Sequence, residues 1–211
     1  MKNIYKVLLC ITVLFLSSCD TETTGDVSRV TNYAVIEING DSEVIINQGA
    51  AWTDPSATVT LAGEPYPFET SRVVDPNVPG VYYITYSAVN DEGYAATATR
   101  TVVVVSTATE TCDLSGTWKR SNNSPGTMTR TGMRRYTYDN AGGVTGDNQL
   151  TVDVINVNDV LLYIPFKANA SPSGLSVVSF QPGEITSCNN FSWSLSASGF
   201  YGNFVRTFSR T

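Results

Sequence analysis

The sequence contains no histidine among its 211 residues, and only 15% of them are charged. Without histidine, the most common general base and the Ser-His-Asp relay are both absent. No glycine loop of the Walker type is present to cradle a phosphate. Glycosidase chemistry needs two facing carboxylates. The second half of the chain offers five candidates, of which all but two sit beside Asn or Gly in predicted turns: Asp139, Asp147, Asp153, Asp159 and Glu184. We therefore expect a protein that is not an enzyme and needs no cofactor.

Long apolar runs are scarce, and the one at the amino terminus is short. Residues 7–16 are apolar apart from Thr12, and Lys2 and Lys6 precede them. A helix that spans a bilayer needs about 20 apolar residues, so this run has about half the required length. A positive start followed by a short apolar run is the layout of a secretory signal peptide, which we predict over residues 1–18.

The segment Leu16-Ser17-Ser18-Cys19 resembles a bacterial lipobox. The resemblance implies cleavage before Cys19 and acylation of that residue, for example with palmitate, which would anchor the protein in a membrane. The alternative is an ordinary signal peptide with an incidental cysteine. The acidic residues that follow resemble the surface-export signal of lipoproteins in Gram-negative gut bacteria, which implies a surface-exposed outer-membrane location. Residues 19–32 are polar and predict a flexible tether.

Of the four cysteines, two remain for a disulfide bond. Cys10 leaves with the signal peptide and Cys19 carries the lipid, which leaves Cys112 and Cys188. Outside the cytoplasm this pair can oxidise, and two cysteines allow only one pairing. The chain-entropy model gives such a bond a stabilising contribution of roughly 4 to 5 kcal/mol. A structural zinc site is the alternative, but two cysteines without histidine fall short of its four ligands.

Charge divides the chain into two parts. Residues 20–110 carry 13 acidic and 3 basic side chains, whereas residues 111–211 carry 6 acidic and 8 basic side chains. This change in composition indicates two domains. The acidic first part is a poor partner for nucleic acid or for an anionic membrane surface. We therefore expect no nucleic-acid binding.

From residue 33 onward, apolar and polar residues alternate with a period of two between turn residues, which is typical of short antiparallel strands. One predicted strand, VYYITYSAV at 81–89, places four residues on a single face: Tyr82, Ile84, Tyr86 and Ala88. No stretch of ten residues has helical spacing. The pattern predicts an all-β chain with a β-sandwich over residues 33–106.

Three motifs follow each other in this region: WTDPSA at 52–57, PGVYYITYSA at 79–88 and ATATRTV at 96–102. Together they resemble the bacterial Ig-like repeats of the HYR and insecticidal-crystal-protein type, in which glycine usually stands where this chain has Ser56. The resemblance implies an Ig-like β-sandwich that acts as a spacer or binding platform and has no chemistry of its own.

Arg100 interrupts the alternation of apolar and polar residues. In an extended strand its side chain would lie on the same face as the apolar residues Ala98 and Val102. Either a bulge shifts the register of its strand, or the guanidinium reaches a polar edge. A buried arginine without a partner would be too costly. We expect Arg100 to lie near a carboxylate or at the rim of the sandwich, in a structural role.

Residues 107–111 are a predicted linker, and residues 112–211 are predicted to form a second all-β domain. Seven or so short strands separated by Gly- and Asn-rich turns favour an antiparallel sandwich or a small barrel. The opening LSGTW resembles the first strand of lipocalin-like barrels. The order of an Ig-like domain followed by this β-domain resembles small lipoproteins of polysaccharide-utilisation systems.

That resemblance implies binding or handling of glycans, with a polysaccharide or an outer-membrane transport complex as partner. Two alternatives remain open. One is a structural or adhesive module that contacts another envelope protein. The other is a small-molecule-binding barrel, which would require a closed internal cavity in the second domain.

The best candidates for glycan contact are Phe200 and Tyr201, which lie between glycines in the predicted turn SGFYGNF. Exposed aromatic rings on a rigid scaffold can stack on the C–H faces of sugars. The alternative is that both rings fold back onto the domain. Trp118 and Trp193 alternate with apolar neighbours and are expected in a core.

Two further polar groups are weaker candidates. Arg130, Arg134 and Arg135 could hold an acidic polysaccharide or form an ordinary solvated basic face. Residues 146–148 and 156–159 supply clustered oxygen ligands of the kind that Ca²⁺ prefers, but their spacing matches no known calcium loop and ordinary turns explain them better. We therefore assign no metal site.

Overall fold

The computed structural model describes residues 30–197 and 199–211, and within these residues every helical or strand element is a β-strand. The predicted signal peptide, the lipidation site Cys19 and most of the tether lie outside the described residues. Tyr33–Thr211 form one compact unit. No helix that could cross a bilayer occurs in the described part of the chain.

The strands of the first region are β1 Ala34–Ile38, β2 Glu43–Asn47, β3 Ala57–Leu61, β4 Glu64–Pro65, β5 Glu69–Thr70, β6 Gly80–Val89 and β7 Ala95–Val105. Those of the second are β8 Gly116–Arg120, β9 Pro125–Gly132, β10 Arg135–Tyr138, β11 Val152–Asn156, β12 Leu161–Tyr163, β13 Val177–Ser187, β14 Asn190–Ala197 and β15 Val205–Arg210.

The first region is a sandwich of two sheets, one with the order β1-β3-β4 and one with the order β2-β7-β6-β5. Strand β2 runs parallel to β7, whereas the other neighbours are antiparallel. Apolar side chains from both sheets form a shared core that includes Ala57, Ile84, Tyr86 and Val102. The predicted inward face of β6 is confirmed, because Ile84, Tyr86 and Ala88 are all buried.

Arg100 occupies the interior of this sandwich and is completely buried. It forms an ion pair with Asp54 and donates to the backbone oxygen of Asp41 at 3.0 Å. Tyr86 donates its hydroxyl to the same carboxylate at 2.8 Å. Burial, together with this hydrogen bond, raises the pKa of Tyr86 to about 12. The expected carboxylate partner of Arg100 is confirmed, and β6 and β7 pair without a bulge.

Ser56 adopts a positive φ of 66°, a backbone conformation that favours glycine. Its N–H donates to Oδ1 of Asp54 at 3.0 Å, which holds the turn in this conformation. Serine therefore occupies the position where glycine is usual, and the hydrogen bond to Asp54 stabilises its backbone conformation.

The end of β7 is buried on both faces. Val102 and Val104 point into the sandwich, whereas Val103 and Val105 point to the opposite face. Those two valines join a separate apolar cluster whose other buried members belong to the second region: Ile155, Val157 and Tyr163. The run of four consecutive valines thus reflects a strand covered by the sandwich on one side and by the second region on the other.

The second region is a closed eight-stranded barrel in which successive strands pair antiparallel and β15 pairs with β8 to complete the circle. This observation decides between the predicted sandwich and barrel. The segment TMTRTGMRRYTY at 127–138, which the sequence favours as a single strand, forms the hairpin of β9 and β10. The chain reverses at Met133 and Arg134, where Arg134 has a positive φ of 57°.

Aromatic rings fill the barrel. Trp118, Phe191, Trp193 and Phe208 are buried, and the centroids of neighbouring rings lie 4.6 to 4.8 Å apart. Tyr138 contacts three of these rings edge-on. The predicted core positions of both tryptophans are confirmed. Because these side chains pack the interior, the structure gives no support to a small-molecule-binding barrel.

Consecutive strands of the barrel are antiparallel neighbours, so every second connection lies at the same end of the barrel. The near end contains residues 107–115, the β9–β10 hairpin and the turns at 157–160 and 188–189. The far end contains the connections at 121–124, 139–151 and 164–176, and the β14–β15 loop that includes residues 199–204. The chain from the Ig-like sandwich therefore reaches the barrel at the near end.

Two features close the barrel at its near end. Cys112 and Cys188 form the predicted disulfide bond, which joins the segment before β8 to the turn before β14. Arg210, the last residue of β15, lies over the ring of Trp118 at 4.5 Å. It also donates to the backbone oxygens of Asp113 and Ser115, each at 2.6 Å. These contacts attach the end of the chain to the start of the domain.

Candidate functional site

The predicted linker is held firmly on the barrel. Glu110 accepts hydrogen bonds from the Tyr136 hydroxyl at 2.5 Å, the Asn156 amide at 2.8 Å and Arg130 at 2.7 Å. Burial, together with the hydrogen bond to Glu110, raises the pKa of Tyr136 well above its ordinary value. The backbone oxygen of Ala108 accepts from Arg134. The segment between the two β-regions is thus part of a polar network.

Arg134 is buried and forms a bidentate ion pair with Asp159, with both N···O distances at 3.0 Å. Asn156 also binds both partners. Burial alone would raise the pKa of Asp159, but the hydrogen bonds from Arg134 and Asn156 outweigh it and lower the pKa. The oxygens considered for Ca²⁺ at 156–159 are therefore engaged by a guanidinium.

The second candidate calcium segment, residues 146–148, is an ordinary turn. The side-chain oxygen of Asn148 accepts from the Ser173 hydroxyl, and the backbone oxygen of Asp147 accepts from the Ser173 N–H. In the ranges 30–197 and 199–211, no group of three or more acidic, cysteine or histidine side chains is arranged to hold a metal ion.

The basic face proposed for an acidic polysaccharide does not form. Arg130 pairs with Glu110 and Asp113, and Arg134 is buried with Asp159. The pKa of Asp113 is lowered to about 2, mainly by its hydrogen bond with Ser115. Only Arg135 of the three is exposed without such an ion pair in the described residues. The three arginines therefore form no shared basic surface, because Arg130 and Arg134 each pair with carboxylates.

The structure separates the predicted aromatic pair. Phe200 is 52% exposed, whereas Tyr201 is 6% exposed and belongs to the barrel core. The Tyr201 hydroxyl donates to the backbone oxygen of Asn148 at 2.7 Å. Its ring packs against Gly142 so closely that a Cβ there would lie 2.3 Å from a ring carbon. The expected exposure is therefore wrong for Tyr201, whose ring folds back and anchors the loop.

A residue that the sequence analysis missed replaces Tyr201 on this surface. Phe204, in the same loop, is 57% exposed. It lies four residues after Phe200, beyond Gly202. The available signal was a third aromatic residue in the same glycine-rich stretch, directly before the last strand. We call Phe200 and Phe204 the far-end aromatic surface.

Arg206 supports this surface from below. It is 1% exposed and donates to the backbone oxygens of Gly202 at 2.9 Å and Phe204 at 3.0 Å. Its guanidinium lies 4.3 Å from the centroid of the Phe204 ring. The hydroxyl of Ser194 donates to the backbone oxygen of Asn203. The loop is thus fixed by several independent contacts, and its two exposed rings are presented from a rigid base.

The Ig-like sandwich has its own exposed aromatic pair. Tyr33 and Tyr94 are 58% and 50% exposed, and their ring centroids lie 5.4 Å apart. They lie on a different part of the molecule from the far-end aromatic surface. The pair therefore provides a matched control for experiments on exposed rings.

These observations define an all-β protein in which a sandwich of Ig-like type packs on an aromatic-filled eight-stranded barrel. Comparison with known families supports the first part. Residues 36–104 match the family described as "Bacterial surface protein, Ig-like domain". A domain of this family indicates a cell-envelope protein, in agreement with the export signal predicted from the sequence.

Other comparisons are less informative. No curated protein matches the chain. Among solved structures, the crystal structure of a lipoprotein from Bacteroides thetaiotaomicron aligns with 85% of this chain and 100% of its own. The two share 17% sequence identity with a TM-score of 0.37, values that do not establish a common fold.

Proposed function

We propose that this protein is a lipid-anchored component of the bacterial outer membrane, exposed at the cell surface, whose barrel binds glycans during polysaccharide utilisation. The observation that carries the proposal is the far-end aromatic surface. Phe200 and Phe204 are more than half exposed on a loop that Arg206 and Tyr201 fix in place. The bacterial surface Ig-like match supports the envelope location.

Exposed phenylalanines suit a sugar-binding role for a physical reason. The apolar C–H faces of pyranose rings pack on aromatic faces, and a loop that is already ordered loses little conformational entropy when the sugar binds. Glycosidase chemistry is not required for such binding. Two exposed rings on one ordered loop are therefore a suitable recognition element in a protein without histidine.

The docking of the two β-regions supports a display role for the Ig-like sandwich. Val103 and Val105 are buried against the barrel, and Tyr163 of the barrel donates to Glu43 of the sandwich at 2.5 Å. The linker joins the barrel at its near end, whereas the β14–β15 loop carries the far-end aromatic surface at the other end. Through these contacts the sandwich would act as a rigid support for the barrel.

Affinity gel electrophoresis tests the proposal directly. Protein lacking residues 1–19 would be run through gels that each contain one plant, algal or host polysaccharide. We expect at least one polysaccharide to retard it, and Phe200→Ala combined with Phe204→Ala to abolish the retardation. The matched control, Tyr33→Ala combined with Tyr94→Ala, should migrate like the wild type. Absence of retardation in every gel would remove the glycan proposal.

The same apolar surface could instead contact a protein, which corresponds to the structural or adhesive alternative. Val205 is also 57% exposed and directly follows Phe204, so the surface extends onto the barrel wall. An envelope protein that co-purifies in stoichiometric amount with the wild type, but not with the double phenylalanine variant, would favour this alternative if no gel retards the protein.

A further inference from the structure

Two arginines point into the barrel at its far end. Arg206 pairs across the sheet with Trp193, and Arg120 pairs with Phe208. Residues directly opposite each other on antiparallel strands point to the same face, and both aromatic partners belong to the barrel core. The two guanidiniums therefore lie on the inner side of the sheet, beneath the far-end aromatic surface.

Neither arginine has a carboxylate partner in the described part of the chain. The other buried arginines differ in this respect, since Arg100 pairs with Asp54 and Arg134 pairs with Asp159. Burial, followed by the positive charge of Arg120, lowers the pKa of Arg206. Two cations thus lie close enough to repel each other, without an acidic group to offset them.

Their hydrogen-bonding capacity is also incompletely used. Among the described residues, the buried side-chain polar atoms without a partner are Nε of Arg120, Nε of Arg206 and the hydroxyl of Tyr138. All three residues lie at the far end, because Arg120 and Tyr138 end their strands and Arg206 is near the start of its own. Buried donors without a partner are uncommon in native proteins, especially charged ones.

The geometry of Arg120 suggests what the missing partner is. Its Nη1 donates to the backbone oxygen of Gly142 at 3.0 Å, while Nε has no partner. Both donors of the edge formed by Nε and Nη2 are therefore unused, although Nε is covered by neighbouring atoms, and this edge matches two oxygens of a carboxylate or sulfate. Arg120 is only half-buried, so part of its side chain is exposed to solvent, whereas Nε is covered.

Phe204 links this edge to the aromatic surface. Its exposed ring lies over both guanidiniums, with the centroid 5.9 Å from Arg120 and 4.3 Å from Arg206. The negative face of the ring offsets part of the positive charge. A sugar stacked on the outer part of this ring would bring its substituents within reach of the Arg120 edge.

We propose that the far end of the barrel recognises acidic sugars, with Arg120 binding a carboxylate or sulfate group, Arg206 adding positive potential and Phe204 stacking on the ring. This inference rests on the proposed glycan-binding function and specifies the ligand as anionic. Arg120 contacts the ligand, whereas Arg206 positions the loop. The shared chemistry is an oxyanion carried on a pyranose.

Side-chain NMR of arginine tests the inference on the protein lacking residues 1–19. The Nε–Hε signals would be followed during titration with sodium galacturonate, galactose 6-sulfate and neutral galactose at constant ionic strength. We expect saturable shifts of the Arg120 and Arg206 signals with at least one of the two anionic sugars and none with galactose. The anionic sugar that binds more tightly identifies carboxylate or sulfate as the natural group.

Substitutions test whether Arg120 is responsible for the NMR shifts. Arg120→Gln should remove the saturable shift of Arg206, and Arg120→Lys, which keeps the charge but not the two-donor edge, should weaken binding by about tenfold or more. The control Arg135→Gln should leave the titration unchanged, because that arginine is exposed on the barrel wall. Equal shifts with galactose, or no saturable shift with either anion, would overturn the inference.

The two proposals fail in distinguishable ways. If gels retard the protein only with neutral polysaccharides and the anionic sugars shift nothing, glycan binding stands and the acidic specificity is refuted. If the anionic sugars shift both arginine signals but no polysaccharide retards the protein, the oxyanion site stands and the polysaccharide function is refuted.

Discussion

The contact between Tyr163 and Glu43 provides the sharpest test of how the sandwich and the barrel are held together. Tyr163 is 6% exposed and its hydroxyl donates to Oε1 of Glu43, a residue 120 positions away in the sequence. Burial, reinforced by that hydrogen bond, raises the pKa of Tyr163 far above its ordinary value. We predict that Tyr163→Phe destabilises the folded protein while leaving the apolar cluster around the ring intact.

The magnitude follows from the groups involved. A hydrogen bond to a charged acceptor contributes roughly 1.5 to 3 kcal/mol. Glu43 would keep its hydrogen bond from the Phe166 N–H at 3.0 Å, so its carboxylate would not lose every partner. We therefore expect Tyr163→Phe to lower the free energy of unfolding by about 2 kcal/mol. The coupling with Glu43→Gln should be about 1 kcal/mol in a double-mutant cycle.

Urea denaturation followed by tryptophan fluorescence measures this change. Trp52 reports on the sandwich, and Trp118 and Trp193 report on the barrel. Tyr94→Phe is the control, because that hydroxyl is on a ring that is 50% exposed, and we expect a change below about 0.5 kcal/mol. A Tyr163→Phe variant as stable as this control, or zero coupling with Glu43→Gln, would show that the contact does not join the two parts.

Three further changes have defined outcomes. Replacing Cys112 and Cys188 with alanine should lower the free energy of unfolding by as much as about 4 to 5 kcal/mol in urea titrations, and a loss below about 1 kcal/mol would contradict the loop-entropy argument. Asp159→Asn should cost about 3 kcal/mol at neutral pH, because it leaves buried Arg134 without a carboxylate. Since the folded state lowers the pKa of Asp159, this difference should shrink as the pH falls below about 4, and a constant difference down to strong acid would refute the ion-pair assignment. Gly142→Ala should lower the free energy of unfolding by about 1 to 3 kcal/mol, because the new methyl group would lie 2.3 Å from a buried tyrosine ring, and unchanged thermal unfolding would contradict that packing.

Local patterns in the sequence were sufficient for the strands of the sandwich. The alternation in VYYITYSAV correctly placed Ile84, Tyr86 and Ala88 inside, because side chains on a strand alternate between faces. The parity of Arg100 predicted either a nearby carboxylate or a position at the rim, since an unpaired buried guanidinium is unstable, and the structure shows the carboxylate. The partner itself, Asp54, lies 46 residues away, and no local pattern connects the two.

Features that depend on tertiary contacts were harder to predict. The hairpin at Arg134 could not be recognised from the sequence, because its central residues, Met133 and Arg134, are not typical turn residues and the buried ion pair with Asp159 holds it. Residues 107–111 looked like a free linker, because the partners of Glu110 come from distant strands. The four valines that end β7 gave no indication of what covers their second face.

The candidate site illustrates the same limit. Glycine-flanked aromatic residues predicted two exposed rings in this loop, and of the two only Phe200 is exposed. The backbone of the β10–β11 connection determines that Tyr201 is buried, because Gly142 leaves room for its ring. The role of Arg206 depends on strand register, because only the pairing of β14 with β15 turns its side chain toward the barrel interior.

The central claim is that glycans bind at the far end of the barrel, on Phe200 and Phe204. The most direct measurement is amide chemical-shift mapping of the labelled protein with oligosaccharides from a polysaccharide that retards it. The account predicts that the largest perturbations fall in residues 199–205 and around Arg120. Perturbations centred instead on Tyr33 and Tyr94, or spread evenly over the sandwich, would contradict it.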